Sequence, residues 1–93
     1  MTFTLVSYAP SRALYEQVAK HIDLKGNRPD GLLLHTASEM PDGRVQIVDI
    51  WANDEALTNF GDDRVIPAFI KVGVPEHLMA DRPVGYKAFE VVS

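Results

Sequence analysis

The sequence predicts an α+β domain of order βαββαβ, with two helices packed on one face of a four-stranded antiparallel sheet. Three observations lead to that class: two amphipathic helical stretches, β-rich runs on either side of them, and a Pro-Asp-Gly turn joining two adjacent runs. At 93 residues the chain holds one domain, spanning 1–93, whose single core leaves much of its surface uncovered.

Residues Phe3 to Tyr8 mix β-branched, aromatic and apolar side chains and stop before Pro10, which predicts the first strand. Ser11 is a helix cap. Leu14, Tyr15, Val18, Ala19 and Ile22 then recur at three- and four-residue spacing, a single apolar stripe that Lys25-Gly26 should end. A polar loop, Asn27 to Asp30, leads to the runs GLLLHTAS and RVQIVDIW, the second and third strands.

Between those strands lies Met40-Pro41-Asp42-Gly43. Proline presets the second turn position and glycine tolerates the left-handed conformation at the fourth, the signature of a type I turn with a G1 bulge. Met40 then faces Arg44, and the register pairs His35 with Asp49, Leu33 with Trp51 and Ala37 with Ile47. His35, Asp49 and Trp51 share one face of the sheet, and Leu34, Val48 and Ile50 share the other. A slip of one residue would part His35 from Asp49.

Asn53 caps the second helix, and Asp54 and Glu55 favour its positive end. Ala56, Leu57 and Phe60 begin its apolar face, while Gly61 and Pro67 interrupt it and Asp62 or Asp63 can recap. The helix is therefore expected to kink or split before Val65, Ile66, Phe69 and Ile70, and to end at Gly73. A loop from Val74 to Gly85 precedes a fourth strand, Tyr86 to Val92.

Order and patterning together describe a ferredoxin-like sandwich. Two helices cover one face of the sheet, whereas strands two and three carry large apolar groups on both. The uncovered face predicts a homodimer packed sheet against sheet.

Composition narrows the function. Hydrophobic residues make up 46% of the chain and charged ones 24%, a globular balance, and no apolar run is long enough to cross a bilayer. The amino terminus reads as a strand and not as a signal peptide, so a cytoplasmic location is expected. Cysteine is absent, which removes disulfides, thiolate nucleophiles and cysteine-based metal sites. Nine basic residues, scattered singly among thirteen acidic ones, form no stripe for nucleic acid.

The element order, with GLLLH (31–35) and VDIWANDEAL (48–57), where a strand ending in tryptophan enters a capped acidic helix, resembles the antibiotic-biosynthesis-monooxygenase-like proteins of the dimeric α/β-barrel superfamily. The resemblance spans nearly the whole chain. It implies a dimer and a hydrophobic or aromatic small-molecule ligand, with activities that range from cofactor-free oxygenation of aromatic polyketides to isomerisation, haem degradation and none known. Relatives that degrade haem carry a ligating histidine on the helix corresponding to Arg64–Val72, where this chain has none.

His35 and Asp49 form the candidate catalytic pair, because a carboxylate beside an imidazole selects its tautomer and raises its basicity. Trp51 and Phe60 are candidates to contact a flat ligand, and Tyr8, Tyr15 and Tyr86 could line the same cavity. Each tyrosine is more readily a core or rim residue, and Arg64 and Arg82, which could bind an acidic group on a ligand, are more readily solvated surface residues. The competing reading makes His35 and Asp49 a buried pair that satisfy one another, with Trp51 filling the core beneath the second helix.

No metal is expected, since His21, His35 and His77 fall on different elements. No phosphate loop, dinucleotide fingerprint or serine-based triad is present, so no cofactor is expected. The resemblance then implies oxygenation in which His35 deprotonates a phenol or enol and the anion reduces dioxygen itself. The alternative is a ligand-binding or accessory dimer without catalysis. A cavity able to hold a tricyclic ring, with His35 pointing into it, would favour the enzyme.

Overall fold

The computed structural model describes residues 1–75 and 85–92. His77 and Arg82, and most of the loop expected between Val74 and Gly85, lie outside the described residues.

Strand β1 runs Phe3–Ala9, helix α1 Arg12–Ile22, strand β2 Leu32–Glu39, strand β3 Val45–Trp51, helix α2 Asp54–Phe60, helix α3 Ile66–Val72 and strand β4 Gly85–Lys87. The four strands form one sheet in the order β2-β3-β1-β4, every neighbouring pair antiparallel. Together with the helices this is the ferredoxin-like α+β arrangement.

Local chemistry explains the boundaries. The Ser11 side chain accepts from the Leu14 amide at the start of α1, and that of Asn53 accepts from the Ala56 amide at the start of α2. Helix α1 closes earlier than Lys25-Gly26, because Asp23 takes up the left-handed conformation (φ 54°) and its amide bonds back to Ala19. Its carboxylate then accepts from the Gly26 amide at 3.2 Å. Asp and Asn tolerate this conformation better than other side-chain-bearing residues.

The expected break in the second helix is a π-helical turn over Gly61–Val65. No recapping occurs there: Phe60, Gly61, Val65 and Ile66 all keep right-handed helical backbone, so the chain widens by one residue per turn instead of restarting. Pro67 lies in the first turn of α3, where its missing N–H costs least, and Gly73 closes α3 at φ 83°. Arg64, from the π turn, donates to the carbonyls of Ile22, Asp23 and Asn27. It fastens the end of α1 to the second helix and is not available as a surface anion site.

The hairpin behaves as its turn predicts. The Met40 amide donates to the Arg44 carbonyl at 2.8 Å, the Gly43 amide to the Met40 carbonyl at 2.9 Å, and Gly43 has φ 89°. From Glu39 back to Leu34 the pairing is as expected, with His35 opposite Asp49 and Ala37 opposite Ile47. A β-bulge follows between Leu34 and Leu32, so Leu32 and not Leu33 lies opposite Trp51. Leu32 is buried there, while Leu33 is half exposed. The Arg28 guanidinium donates to the Leu32 and Leu33 carbonyls and so occupies backbone groups at the bulge.

Helices α1 and α3 pack together around Val18, Ala68 and Val74, flanked by Leu14, Ile22, Phe69 and Val72. Leu5, Leu32, Val45 and Trp51 are buried on the sheet face beneath the helices. The reverse face is open: Val6 is 44% exposed and Leu34 51%. Strand β4 covers only Gly85–Lys87, shorter than the Tyr86–Val92 expected, because pairing with β1 reaches no further than Phe3 opposite Lys87. Phe89, Val91 and Val92 are exposed.

Candidate functional site

Three elements bring three polar side chains into one line. Strand β3 supplies Asp49, β2 supplies His35 and α1 supplies Tyr15. His35 Nδ1 lies 2.6 Å from Asp49 Oδ1, and His35 Nε2 lies 2.8 Å from Tyr15 Oη. An ionised carboxylate can only accept, so Nδ1 carries the proton and donates to Asp49, which leaves the Nε2 lone pair to accept from the Tyr15 hydroxyl. All three groups are thereby satisfied.

The line runs from the core outward. The Asp49 side chain is 7% exposed and that of His35 22%. Tyr15 is half-buried, with its ring nearly parallel to the imidazole (11°, centroids 6.4 Å apart). Burial, and secondarily the negative charge of Asp49, hold the Tyr15 phenol above its usual range. At neutral pH Tyr15 is therefore a proton donor to His35.

Trp51 is fully buried, against Phe60 at a centroid distance of 5.0 Å, and its indole N–H has no hydrogen-bond partner among the described residues. Both residues lie on the helix face with His35 and Asp49, so of the candidate ligand contacts these two are on the expected side. Tyr8 and Tyr86 are not. Tyr8 pairs with Gln46 and Tyr86 with Thr4, positions whose side chains leave the opposite face of the sheet, and they are 52% and 72% exposed. The alternation of β1 puts Leu5 and Ser7 toward the helices and Tyr8 away from them. Arg44 stacks over the Tyr8 ring at 5.1 Å, and Tyr86 lines an open depression of about 510 Å³ with Phe89 and other C-terminal residues.

A groove of about 220 Å³ lies between α1 and the sheet, lined by Arg12, Tyr15, Glu16, Ala37, Glu39 and Val45. It is smaller than the roughly 300–1,000 Å³ of pockets for drug-sized ligands, so it does not fit a tricyclic ring. His35 is not among its walls; Tyr15 stands between the imidazole and the groove. Sequence reasoning grouped Tyr15 with the other tyrosines and gave it no separate part. Its place on the apolar stripe of α1 carried the signal, since a phenol turned toward the sheet needs a polar partner and His35 and Asp49 lie on that face.

Among the described residues no three His, Asp or Glu side chains converge as a metal site would require, and no helix is long and apolar enough to cross a membrane.

No family model matches the chain, and neither does any curated protein. Among solved structures it is similar to a candidate antibiotic biosynthesis monooxygenase from Deinococcus radiodurans, with 26% identity, a TM-score of 0.66, and coverage of 100% of this chain and 97% of that one. This chain has the antibiotic-biosynthesis-monooxygenase-like fold. A protein of unknown function from Nitrosomonas europaea shares the fold at 15% identity and a TM-score of 0.54, over 99% of this chain and 92% of that one. The antibiotic-biosynthesis-monooxygenase-like fold accounts for the element order and for the single sheet with helices on one side.

Proposed function

We propose that the protein is a cytoplasmic, cofactor-independent oxygenase, or a related isomerase or cyclase, that acts on a small hydroxylated aromatic or polyketide-like compound with His35 as base. The observation that carries this reading is the buried Asp49 carboxylate 2.6 Å from His35 Nδ1, which stabilises the imidazolium formed when His35 takes a proton. The likeness to the Deinococcus protein supports oxygenation among the reactions a base of this kind can serve. In that reaction a phenolate gives electrons to dioxygen; one oxygen atom enters the ring as a quinone carbonyl and the other leaves as water. Trp51, packed against Phe60, fills the core on the same side of the sheet as the base and lies outside the walls of the groove.

The working form is a homodimer that covers the open sheet face, where Val6 and Leu34 are half exposed beside Val48 and Ile50. A second reading, a ligand-binding dimer without catalysis, is favoured by one feature: both ring nitrogens of His35 are already engaged, by Asp49 and Tyr15.

Oxygen uptake with hydroxylated aromatic compounds separates the two. His35→Ala is expected to lower turnover by about 10²–10⁴, the usual contribution of a general base. Unchanged turnover in His35→Ala removes the base assignment, and binding of such compounds with neither oxygen uptake nor any conversion of them supports the binding reading.

A further inference from the structure

We propose that Tyr15, and not His35, is the residue in contact with the ligand, and that it relays the proton of a neutral, single-ring phenol or similarly compact enol bound in the α1–sheet groove to His35. This rests on the reading of His35 as the base and adds the group through which that base acts.

The geometry carries the inference. Tyr15 lines the groove while His35 does not, and the Tyr15 hydroxyl lies 2.8 Å from Nε2. A hydroxyl has one proton to donate and two lone pairs to accept with. Its donation is spent on His35, so what it offers the groove is an acceptor, which suits a ligand O–H and not a ligand carbonyl. When the ligand O–H gives its proton to Tyr15 Oη, the Tyr15 proton passes to His35 Nε2. The ligand becomes an anion, Tyr15 ends neutral as it began, and the new imidazolium sits against the Asp49 carboxylate. One O–H bond breaks and one forms at Tyr15, one N–H forms at His35, and charge balances. The raised affinity of Tyr15 for its proton agrees with a relay in which the phenol never stands empty.

The walls set the ligand class. A volume of about 220 Å³ admits one ring. Ala37 and Val45 provide apolar contact, whereas the rim carries two carboxylates and one guanidinium, with Arg12 2.9 Å from Glu16 and 3.7 Å from Glu39. The Arg12 charge is thus already matched, and a ligand carboxylate would meet a net negative rim. Neutral phenols are therefore accepted over hydroxybenzoates.

4-Nitrophenol is a suitable probe because its anion absorbs visibly and it has one ring and no carboxylate. With the probe saturated by wild-type protein at pH 7, the phenolate-to-phenol ratio is expected to rise at least about tenfold over that of the free probe, and 4-hydroxybenzoate to bind at least about tenfold more weakly. Tyr15→Phe, checked for folding by circular dichroism, should bind the probe yet return the ratio to within about twofold of the free value, and His35→Ala should do the same. A ratio in Tyr15→Phe equal to wild type overturns the relay while leaving His35 as base, and a ratio unchanged in both variants overturns both. Absence of saturable binding at millimolar probe also overturns the proposal. Where Tyr15→Phe neither folds nor binds, ¹⁵N spectra of the wild-type protein decide: His35 resonances must move to imidazolium values on saturation with 4-nitrophenol, and neutral-imidazole resonances that persist overturn the relay.

Discussion

Replacing His35 by alanine leaves the Asp49 carboxylate, on a residue only 5% exposed, without the donor 2.6 Å away. Two quantities set the size of the effect. Leaving a buried carboxylate without its hydrogen-bond donor costs about 3 kcal/mol or somewhat more, because the remaining charge keeps its desolvation penalty and loses its partner. The imidazole is 22% exposed, so water reaches its site once it is gone and the loss falls at the low end, about 3 kcal/mol. For a domain of this size, with a stability of about 5–14 kcal/mol, that is a large fraction of the total.

The attribution to an orphaned charge, and not to a mere cavity, is tested by a double-mutant cycle. Asp49→Asn alone retains an acceptor for Nδ1 and loses only the charge, at a cost of about 1 kcal/mol. In His35→Ala with Asp49→Asn no carboxylate remains to be orphaned, and the pair of changes is expected to cost about 2 kcal/mol where independent effects would give about 4, a coupling near 2 kcal/mol. Urea denaturation of the four proteins at pH 7 and one fixed protein concentration measures this. With a slope of about 1 kcal/mol/M, the His35→Ala midpoint should drop by roughly 3 M. Additive effects within about 0.5 kcal/mol, or a His35→Ala cost below about 1 kcal/mol, would refute the view that the imidazole holds a buried carboxylate through a charge-assisted hydrogen bond.

Gly31 has φ 84°, and a Cβ added there would stand 2.6 Å from the Ala56 Cβ, so Gly31→Ala should cost about 2–3 kcal/mol and lower the melting temperature by roughly 8–24 °C; a drop under about 4 °C in calorimetry contradicts the clash. Light scattering at micromolar concentration should return twice the chain mass of 10.3 kDa, and Val6→Glu on the open face should halve it; a wild-type monomer ends the sheet-to-sheet proposal. In an absorbance titration one tyrosine should ionise above the ordinary phenol range, and that step should be missing in Tyr15→Phe. Because the folded state holds the Tyr15 proton more tightly than the unfolded one, its contribution to stability is complete below about pH 10 and is lost as pH rises through the folded value; stability that rises there would have the sign wrong.

The parts of the fold legible in the sequence are those governed by local chemistry. Pro41, Asp42 and Gly43 dictate the hairpin and with it the His35–Asp49 pairing; Ser11, Asn53 and Gly73 mark helix ends through their own side chains or their lack of one. What escaped depends on contacts distant in sequence. The bulge beside Leu33 is held by Arg28 and by the burial of Leu32, neither visible in an alternating apolar run. The π turn continues a helix that Gly61 would otherwise end, supported by the reach of Arg64 to the end of α1. Tyr8 and Tyr86 were placed by residue type alone, and only the parity of the strands separates them from Trp51.

The position of the bulge bears directly on the site. Counting from the Met40–Arg44 end of the hairpin, the ladder stays regular through Glu39, Ala37 and His35, and slips only beyond Leu34. Had the extra residue fallen between the turn and His35, the imidazole would have moved to the open face and away from Asp49 and Tyr15. Placed where it is, the slip affects the other end alone: it turns Leu32 beneath the helices opposite Trp51 and leaves Leu33 as the unpaired residue. Regular alternation would have buried Leu33 and exposed Leu32, so either leucine could fill the core, but only a bulge beyond Leu34 allows that exchange without disturbing the line from Asp49 to Tyr15. The same chain segment thus meets two demands that a uniform strand would couple, tight packing around Trp51 and a fixed imidazole, and Arg28 on the bulge carbonyls is the device that keeps them apart.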